Sequence, residues 1–99
     1  MKDENCLIII IINVYCAEHG GNMRLAEAIG KRVERLLKER GMTQYQLYKD
    51  GGIPRSTISV TVDAKYKTVK LDTVYQIAAT LGMTLKEFFD DPIFDCIED

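Results

Sequence analysis

The sequence predicts an all-α domain, a compact bundle of five helices, preceded by an N-terminal extended segment of β-strand character. Three observations support this fold class. The 99 residues are 46% hydrophobic and 28% charged, as in a single soluble globular domain. Apolar residues recur at three- and four-residue steps from Met23 onward, which is the spacing of amphipathic helices. Glycine or proline interrupts this pattern repeatedly, so most of the helices are short.

The first 22 residues contain the apolar run CLIIIIINVYC. Its apolar core of about ten residues is shorter than the ~20 that a membrane-spanning helix needs. The leader MKDENC carries more acid than base, which argues against an export signal. The β-branched run instead predicts a strand. A lone strand beside a helical bundle needs a partner, so it would pair with a second copy of the chain.

Our hypothesis is that Met23 is the natural start and that residues 1–22 are upstream sequence read in frame, and we expect the strand only if this segment is translated. The segment Gly20-Gly21-Asn22-Met23 can be encoded as a purine-rich ribosome-binding sequence followed by a start codon. The nucleotide sequence would decide between this hypothesis and a translated strand.

The first predicted helix begins after Met23 and ends before Gly41. Arginine and glutamate lie opposite its apolar stripe, as expected for a helix with one buried face. The stripe consists of Leu25, Ile29, Val33, Leu36 and Leu37.

Two short helices follow, separated by Gly51-Gly52. The first begins at Thr43, which with Gln46 matches a capping box, a pattern in which two side chains satisfy free backbone amides. The second begins at Pro54 and extends to about Val62, since proline is tolerated in the first turn of a helix.

The remaining residues predict a loop and two more helices. Residues 64–70 have no clear period and are expected to form the loop. The fourth helix follows, with Gly82 as its C-terminal cap, and its stripe comprises Val74, Ile77, Ala78 and Leu81. A second capping box, from Thr84 to Glu87, opens a short fifth helix that ends at Asp91-Pro92.

The two short helices around Gly51-Gly52 have the layout of a helix–turn–helix, in which the N-terminus of the second helix enters the major groove of DNA. The Arg55 guanidinium could donate two hydrogen bonds to guanine O6 and N7, and the Ser and Thr that follow could reach base edges or phosphates. Gln44 lies at a helix N-terminus, which suits a phosphate. Periodicity alone leaves a plain helical bundle equally open.

The order of the residues adds a family resemblance. The segments ERGMTQYQLYKDGGIPRSTIS and LDTVYQIAATLGMTLKEFF are similar to the phage repressor and Cro-like helix–turn–helix (XRE) family, over about residues 29–89. The resemblance implies a compact five-helix, lambda-repressor-like domain that binds double-stranded operator DNA, commonly as a homodimer on a two-fold site.

The resemblance also implies roles for individual residues. Arg55, Ser56 and Val60 match base-reading positions, and Gln44 matches the residue that contacts a phosphate and braces the recognition helix. The alternative for Ser56 and Thr57 is ordinary helix-start chemistry. The residues expected to contact the DNA backbone are Thr43, Gln44, Thr57, Ser59, Lys65, Lys67 and Lys70.

Three features depart from the family pattern. Tyr48 stands where the family usually has Ala and Gly51 where it has Leu, so we expect the Tyr48 ring to fill the space that the missing Leu leaves. The run SVTV at residues 59–62, rich in β-branched side chains, favours a short or weakly formed recognition helix. The loop after Asp63 lacks the glycine expected there, which leaves its path open.

Charge is unevenly distributed along the chain. Residues 24–70 hold eleven Lys and Arg against five Asp and Glu, whereas residues 87–99 hold six acids and no base. A basic body suggests a polyanionic partner, with solvated surface charge as the open alternative. The acidic residues 92–99 form either a dimer or partner surface or, through Ile93 and Phe94, a cover over the end of the core.

The sequence shows no arrangement typical of catalysis or metal binding. Three cysteines without a CxxC pair do not predict a disulfide framework or a zinc site, and they favour a reducing, cytoplasmic setting. The single histidine, His19, has no nucleophile motif or second histidine beside it. We therefore expect no enzyme activity, no cofactor or metal, no membrane association and no small-molecule effector domain.

The sequence thus predicts a sequence-specific DNA-binding transcriptional regulator, a repressor by resemblance, that acts as a homodimer. Its expected layout is an N-terminal extension (1–22), a helix–turn–helix domain (23–91) and an acidic tail (92–99). The alternative function is a protein-interaction module, such as an antitoxin or adaptor on the same fold.

Overall fold

The computed structural model describes residues 11, 14–18 and 21–98. Within residues 21–98 the chain forms five α-helices and a C-terminal 3-10 helix, with no β-strand. These are α1 (Leu25–Glu39), α2 (Gln44–Gly51), α3 (Arg55–Val62), α4 (Leu71–Thr80), α5 (Leu85–Phe89) and the 3-10 helix (Pro92–Cys96). The predicted all-α fold, with its five helices in this order, is confirmed.

Both predicted capping boxes are present, and they fix the starts of α2 and α5. The Thr43 hydroxyl accepts from the Gln46 N–H at 3.1 Å, and the Gln46 side chain accepts from the Thr43 N–H at 2.8 Å. Thr84 and Glu87 repeat the pattern at 3.1 and 3.0 Å. Because each box satisfies amides that a helix start leaves free, even the five-residue α5 begins at a defined position.

The main hydrophobic core lies among the five α-helices. The stripes predicted for α1 and α4 supply most of it, except that Leu25 is exposed. Phe88 of α5 fills the space between them and is fully buried. The buried members of this core are Ile29, Val33, Leu36, Leu37, Leu47, Ile53, Ile58, Val74, Ile77, Ala78, Leu81 and Phe88.

A second, smaller core joins the N-terminal residues to the 3-10 helix. Met23 forms a parallel β-bridge with Ile97, and its N–H donates to the Cys96 carbonyl at 2.9 Å. Ile93 of the acidic tail is 2% exposed, so this part of the tail covers a core. The buried members of the second core are Cys16, Met23, Ala28, Ile93 and Cys96.

The N-terminal strand predicted for the apolar run falls mostly on residues outside those described. Of the run, residues 11 and 14–16 are described, and they are helical, as are residues 17 and 18. The extended conformation expected there is therefore wrong for the described part. The described residues 14–18 adopt a helix because Cys16 and Tyr15 pack against the rest of the chain, and tertiary packing overrides local propensity.

A disulfide bond joins Cys16 and Cys96, and the expectation of no disulfide is wrong. The two cysteines are 80 positions apart in sequence, with their Cα atoms 5.5 Å apart. A cysteine count and the lack of a CxxC pair carry no information on which distant cysteines the fold brings together. The third cysteine, Cys6, lies outside the described residues, as does His19.

Arg32 and Arg35 of α1 tie that helix to the C-terminal segment. Arg32 donates to the Phe88 carbonyl at 2.8 Å and forms a 3.1 Å salt bridge with Asp91. Arg35 pairs with the same carboxylate and donates to the Tyr15 hydroxyl at 2.7 Å. Part of the positive surplus counted over residues 24–70 is thus neutralised within the fold.

Candidate nucleic-acid interface

The turn between α2 and α3 is set by Gly52 and Ile53. Gly52 has a φ of +67°, which glycine adopts without strain, and its N–H donates to the Tyr48 carbonyl at 2.9 Å. Ile53 is fully buried, as are Leu47 of α2 and Ile58 of α3. These three side chains anchor the turn and both helices to the core, which leaves the opposite face of α3 open to solvent.

The open face of α3 carries the residues predicted to read bases. Arg55, Ser56 and Ser59 are exposed, and Val60 is half-buried. The helix continues through Val62, so the β-branched run does not shorten it. Burial of the inner face of α3 against the core outweighs the weak helix propensity of these residues.

Gln44 and the first turns of α3 line one cleft of about 300 Å³. Gln44 is the first residue of α2, Arg55 is the first residue of α3, and both side chains are exposed. Ser56 and Ser59 complete the polar lining. The residue predicted to brace the recognition helix therefore lies next to the two leading base-reading positions, at the start of two helices whose first N–H groups have no partner within the helix.

A second cleft, of about 420 Å³, lies between α3 and the start of α4. Thr57 and Val60 of α3 line it together with Tyr66 of the loop and Lys70. Lys70 is exposed and is the N-cap residue of α4. Of the three lysines predicted to contact the DNA backbone, Lys70 is the one that lines a cleft together with residues of the recognition helix.

Lys65 and Lys67 do not join that cleft. Lys65 is exposed and lies after α3, separated from its last residue, Val62, by Asp63 and Ala64. Lys67 lines a separate depression with Arg24 and Glu98, near the start of α1. Lys67 and Lys70 thus line different depressions of the surface.

The end of α3 shows how the chain forms the loop after Asp63 without the glycine that the family usually has there. The Lys65 N–H donates to the Val60 carbonyl at 3.1 Å and the Ala64 N–H to the Thr61 carbonyl at 3.3 Å, which is the bonding pattern of a Schellman motif. That motif places one residue in the left-handed region, where glycine is usual. Here the residue is Ala64, with a φ of +51°. The loop keeps the path that a glycine would give it, at the cost of a strained alanine.

Two residues that shape this surface were missed by the sequence analysis. The Arg55 guanidinium carbon lies over the Tyr45 ring, 5.7 Å from its centroid. Gly30 of α1 meets the backbone of α3 so closely that a side chain would not fit between them. A glycine in the middle of an amphipathic helix is a signal that could have found the second contact. No sequence pattern connects Tyr45 with Arg55.

The expected exchange of volume between Tyr48 and Gly51 is wrong. The Tyr48 side chain is 41% exposed, and its ring lies 6.0 Å from the Tyr45 ring on the surface of α2. The space beside Gly51 is occupied by the side chains of Thr80 and Ile53. Gly51 thus allows α2 and α4 to pack closely, because the Thr80 side chain of α4 occupies the space that a side chain at position 51 would fill.

Three carboxylates away from α3 are held by local partners. Burial acts to raise the pKa of the Asp91 carboxyl, but hydrogen bonds from Arg35 and the Ile93 N–H outweigh it and hold this pKa below its usual value. The pKa values of Glu27 and Glu87 are lowered because each carboxylate accepts a backbone N–H at a helix start. All three groups therefore stabilise the fold in their charged form.

The anchored turn, the open polar face of α3 and the two flanking clefts define a helix–turn–helix DNA-binding domain. The family profile of the Cro/C1-type HTH DNA-binding domain matches residues 32–92. The chain therefore belongs to the Cro/C1-type helix–turn–helix family, and the resemblance to phage repressor and Cro-like regulators is confirmed. No curated protein and no solved structure is significantly similar to it.

The part of the chain that the structure describes lacks two further features. None of its helices is both long enough and apolar enough to cross a membrane. Its His, Cys, Asp and Glu residues form no group of three or more that could hold a metal ion.

Proposed function

We propose that this chain is a sequence-specific transcriptional regulator that represses by occupying operator DNA. The observation that carries the proposal is the first turn of α3, where Arg55 and Ser56 are exposed while Ile58 anchors the helix to the core. A helix held in this way can enter the major groove with its polar N-terminus leading. Repression is the proposed outcome because a protein bound at an operator excludes other proteins from the same DNA.

Base reading is assigned to Arg55, Ser56 and Val60. The Arg55 fork matches guanine O6 and N7, and the Ser56 hydroxyl can donate to or accept from a base edge. Val60 has no polar group, so its contact is limited to a thymine methyl. Discrimination by hydrogen bonding therefore comes from the first turn of α3.

Contacts to the DNA backbone are assigned to the residues around α3. Gln44 shares a cleft with Arg55, and Lys70 shares another with Thr57, so each cleft beside α3 offers a polar side chain to a phosphate. Contacts of this kind fix the register of the protein without reading sequence. The remaining residues assigned to the backbone are Thr43, Ser59, Lys65 and Lys67.

We further propose that the regulator binds as a homodimer. A single small domain buries about 600–1,000 Å² on DNA, which is at the low end for tight specific binding. A second copy on a two-fold site doubles the contact, and the half-sites then lie about one helical turn apart or a multiple of it.

The proposal is tested by selecting bound sequences from a random double-stranded DNA pool and then measuring mobility shifts at two salt concentrations. We expect a two-fold symmetric site whose affinity falls on the order of 10³-fold between about 50 and 200 mM salt. Arg55→Ala should lose about 1–3 kcal/mol of discrimination at one base pair of each half-site. Lys86→Ala, an exposed substitution on α5, is the matched control and should keep the discrimination.

A protein-interaction module on the same fold would behave differently in these measurements. It would select no preferred sequence, and neither salt nor Arg55→Ala would change its residual binding steeply. That result would overturn the proposal in favour of an antitoxin or adaptor. A selected site without two-fold symmetry would overturn the homodimer alone.

A further inference from the structure

We infer that Tyr45 is a positioning residue for Arg55, whose guanidinium it holds at the start of α3 so that the N–H fork faces a base pair. The inference rests on the proposed function, because it concerns how Arg55 reads DNA. It places a determinant of sequence specificity on α2, outside the recognition helix.

The geometry brings the two side chains together across the turn. Tyr45 is the second residue of α2 and Arg55 the first residue of α3, and the guanidinium carbon lies 5.7 Å from the ring centroid. Tyr45 is 51% exposed, so its ring does not serve as part of the core. The Tyr48 ring lies beside it at 6.0 Å, tilted by 50°, on the same face of α2. The Tyr45 ring thus contacts Tyr48 on its own helix and Arg55 across the turn.

The chemistry of the contact leaves Arg55 able to bind a base. A cation over an aromatic ring is attracted by the negative face of the ring and needs no hydrogen bond. A carboxylate partner would instead occupy the fork that a guanine edge uses. Among the residues that the structure describes, no Asp or Glu forms a salt bridge with Arg55. The ring thus holds the guanidinium without a carboxylate of the described residues on its N–H fork.

Restricting the guanidinium to one position before DNA binds raises the affinity for the cognate base pair. A free arginine has many rotamers, and ordering them on binding costs affinity. A ring that already restricts the side chain reduces this cost for the binding rotamer. For an exposed cation–π pair the effect corresponds to about a two- to five-fold preference for the cognate base pair.

The test compares Tyr45→Leu with Tyr45→Phe, on the selected site, on the same site with the Arg55-dependent base pair changed, and on unrelated DNA. Tyr45→Leu should lose about two- to five-fold of the discrimination at that base pair. Its affinity for unrelated DNA should stay unchanged. Tyr45→Phe keeps the ring and should keep the discrimination. Tyr75→Leu, at a tyrosine of similar exposure on α4, is the matched control and should behave as the wild type.

The double variant Tyr45→Leu/Arg55→Ala separates action through Arg55 from a direct contact. If Tyr45 acts through Arg55, the double variant loses no more discrimination than Arg55→Ala alone. Unchanged discrimination in Tyr45→Leu overturns the inference while leaving base reading by Arg55 intact. Equal losses in Tyr45→Phe and Tyr45→Leu overturn it in favour of a hydroxyl contact with DNA. If Arg55→Ala itself changes nothing, both the inference and the proposed base reading fail.

Discussion

Gly30 of α1 lies against the last turn of α3, where a Cβ added to the glycine would stand 2.6 Å from the Val62 carbonyl oxygen and 2.7 Å from that of Thr61. These are backbone atoms of the recognition helix, so they cannot move without moving that helix. The next turns of α1 carry Arg32 and Arg35, which bind the C-terminal segment. The recognition helix is therefore supported from behind by a helix that is itself fixed at the far end of the domain.

Gly30→Ala should destabilise the domain by about 1–3 kcal/mol, because the added methyl forces α1 and α3 apart. The sign of the change in the free energy of unfolding is informative, since Gly→Ala in an unhindered helix is stabilising by roughly 0.5–1 kcal/mol. Urea denaturation measures the change in the free energy of unfolding. Glu34→Ala, an exposed change on the same helix, should stay within about 0.5 kcal/mol of the wild type. A neutral or stabilised Gly30→Ala would contradict the close approach of the two helices.

Ala64→Gly should stabilise the domain by about 0.5–1 kcal/mol. The left-handed conformation of Ala64 costs roughly 1–2 kcal/mol, which glycine avoids, and the greater freedom of glycine in the unfolded chain offsets part of the gain. The same substitution at the exposed, helical Ala79 should destabilise by about 1 kcal/mol. Thermal unfolding of the two variants should therefore shift in opposite directions. Equal shifts of the same sign would argue against a strained Ala64.

The sequence was sufficient to predict the elements that depend on neighbouring residues. It was not sufficient to predict contacts between residues that are far apart in the chain. The capping box at Thr43 and the turn at Gly52 depend on side chains within a few positions, so their patterns are visible in the sequence. Gly30 packs against backbone carbonyl groups of α3, which every residue type carries, so no residue type in α3 identifies this contact. The Cys16–Cys96 bond joins segments whose proximity exists only in the folded chain. The candidate site shows the same division, with Arg55 found by its position in the motif and its Tyr45 contact missed.

Tyr48→Ala should change stability little, within about 0.5–1 kcal/mol, because the ring is largely on the surface and fills no cavity. Leu47→Ala, the neighbouring residue on the buried face of α2, should cost about 2–5 kcal/mol. Chemical denaturation of both variants tests which face of α2 carries the packing. A large loss for Tyr48→Ala would restore the idea that its ring replaces a missing leucine.

Reduction of the Cys16–Cys96 bond should lower stability by about 2–5 kcal/mol, because the bond closes a long loop in the unfolded chain. Cys16→Ser and Cys96→Ser should show a similar loss and no further response to a reductant. Cys6→Ser is the matched control and should keep the response. Alkylation followed by mass spectrometry should detect one reactive thiol before reduction, since three cysteines minus the two that are bonded leaves one. Three reactive thiols in the unreduced protein would show that the bond does not form.

The Asp91 carboxylate is the charged group on which Arg32 and Arg35 converge, and it links α1 to the start of the 3-10 helix. Its pKa is lower in the folded protein than in the unfolded chain. The unfolded chain therefore binds a proton that the folded protein does not, at pH values between the two pKa values. The stability that this group contributes is present above the unfolded pKa and is lost as the pH falls through the folded pKa.

We accordingly expect the free energy of unfolding to fall as the pH is lowered from about 5 towards 2, with Asp91 responsible for part of the slope. Asp91→Asn should cost about 1–3 kcal/mol at pH 7, because two arginines lose their charged partner, and it should make the acid slope shallower. Asp95→Asn, an exposed carboxylate in the same 3-10 helix, should leave the slope nearly as in the wild type. Denaturation series from about pH 7 to about pH 2 measure both variants. An acid slope that Asp91→Asn leaves unchanged would show that Asp91 does not couple folding to pH.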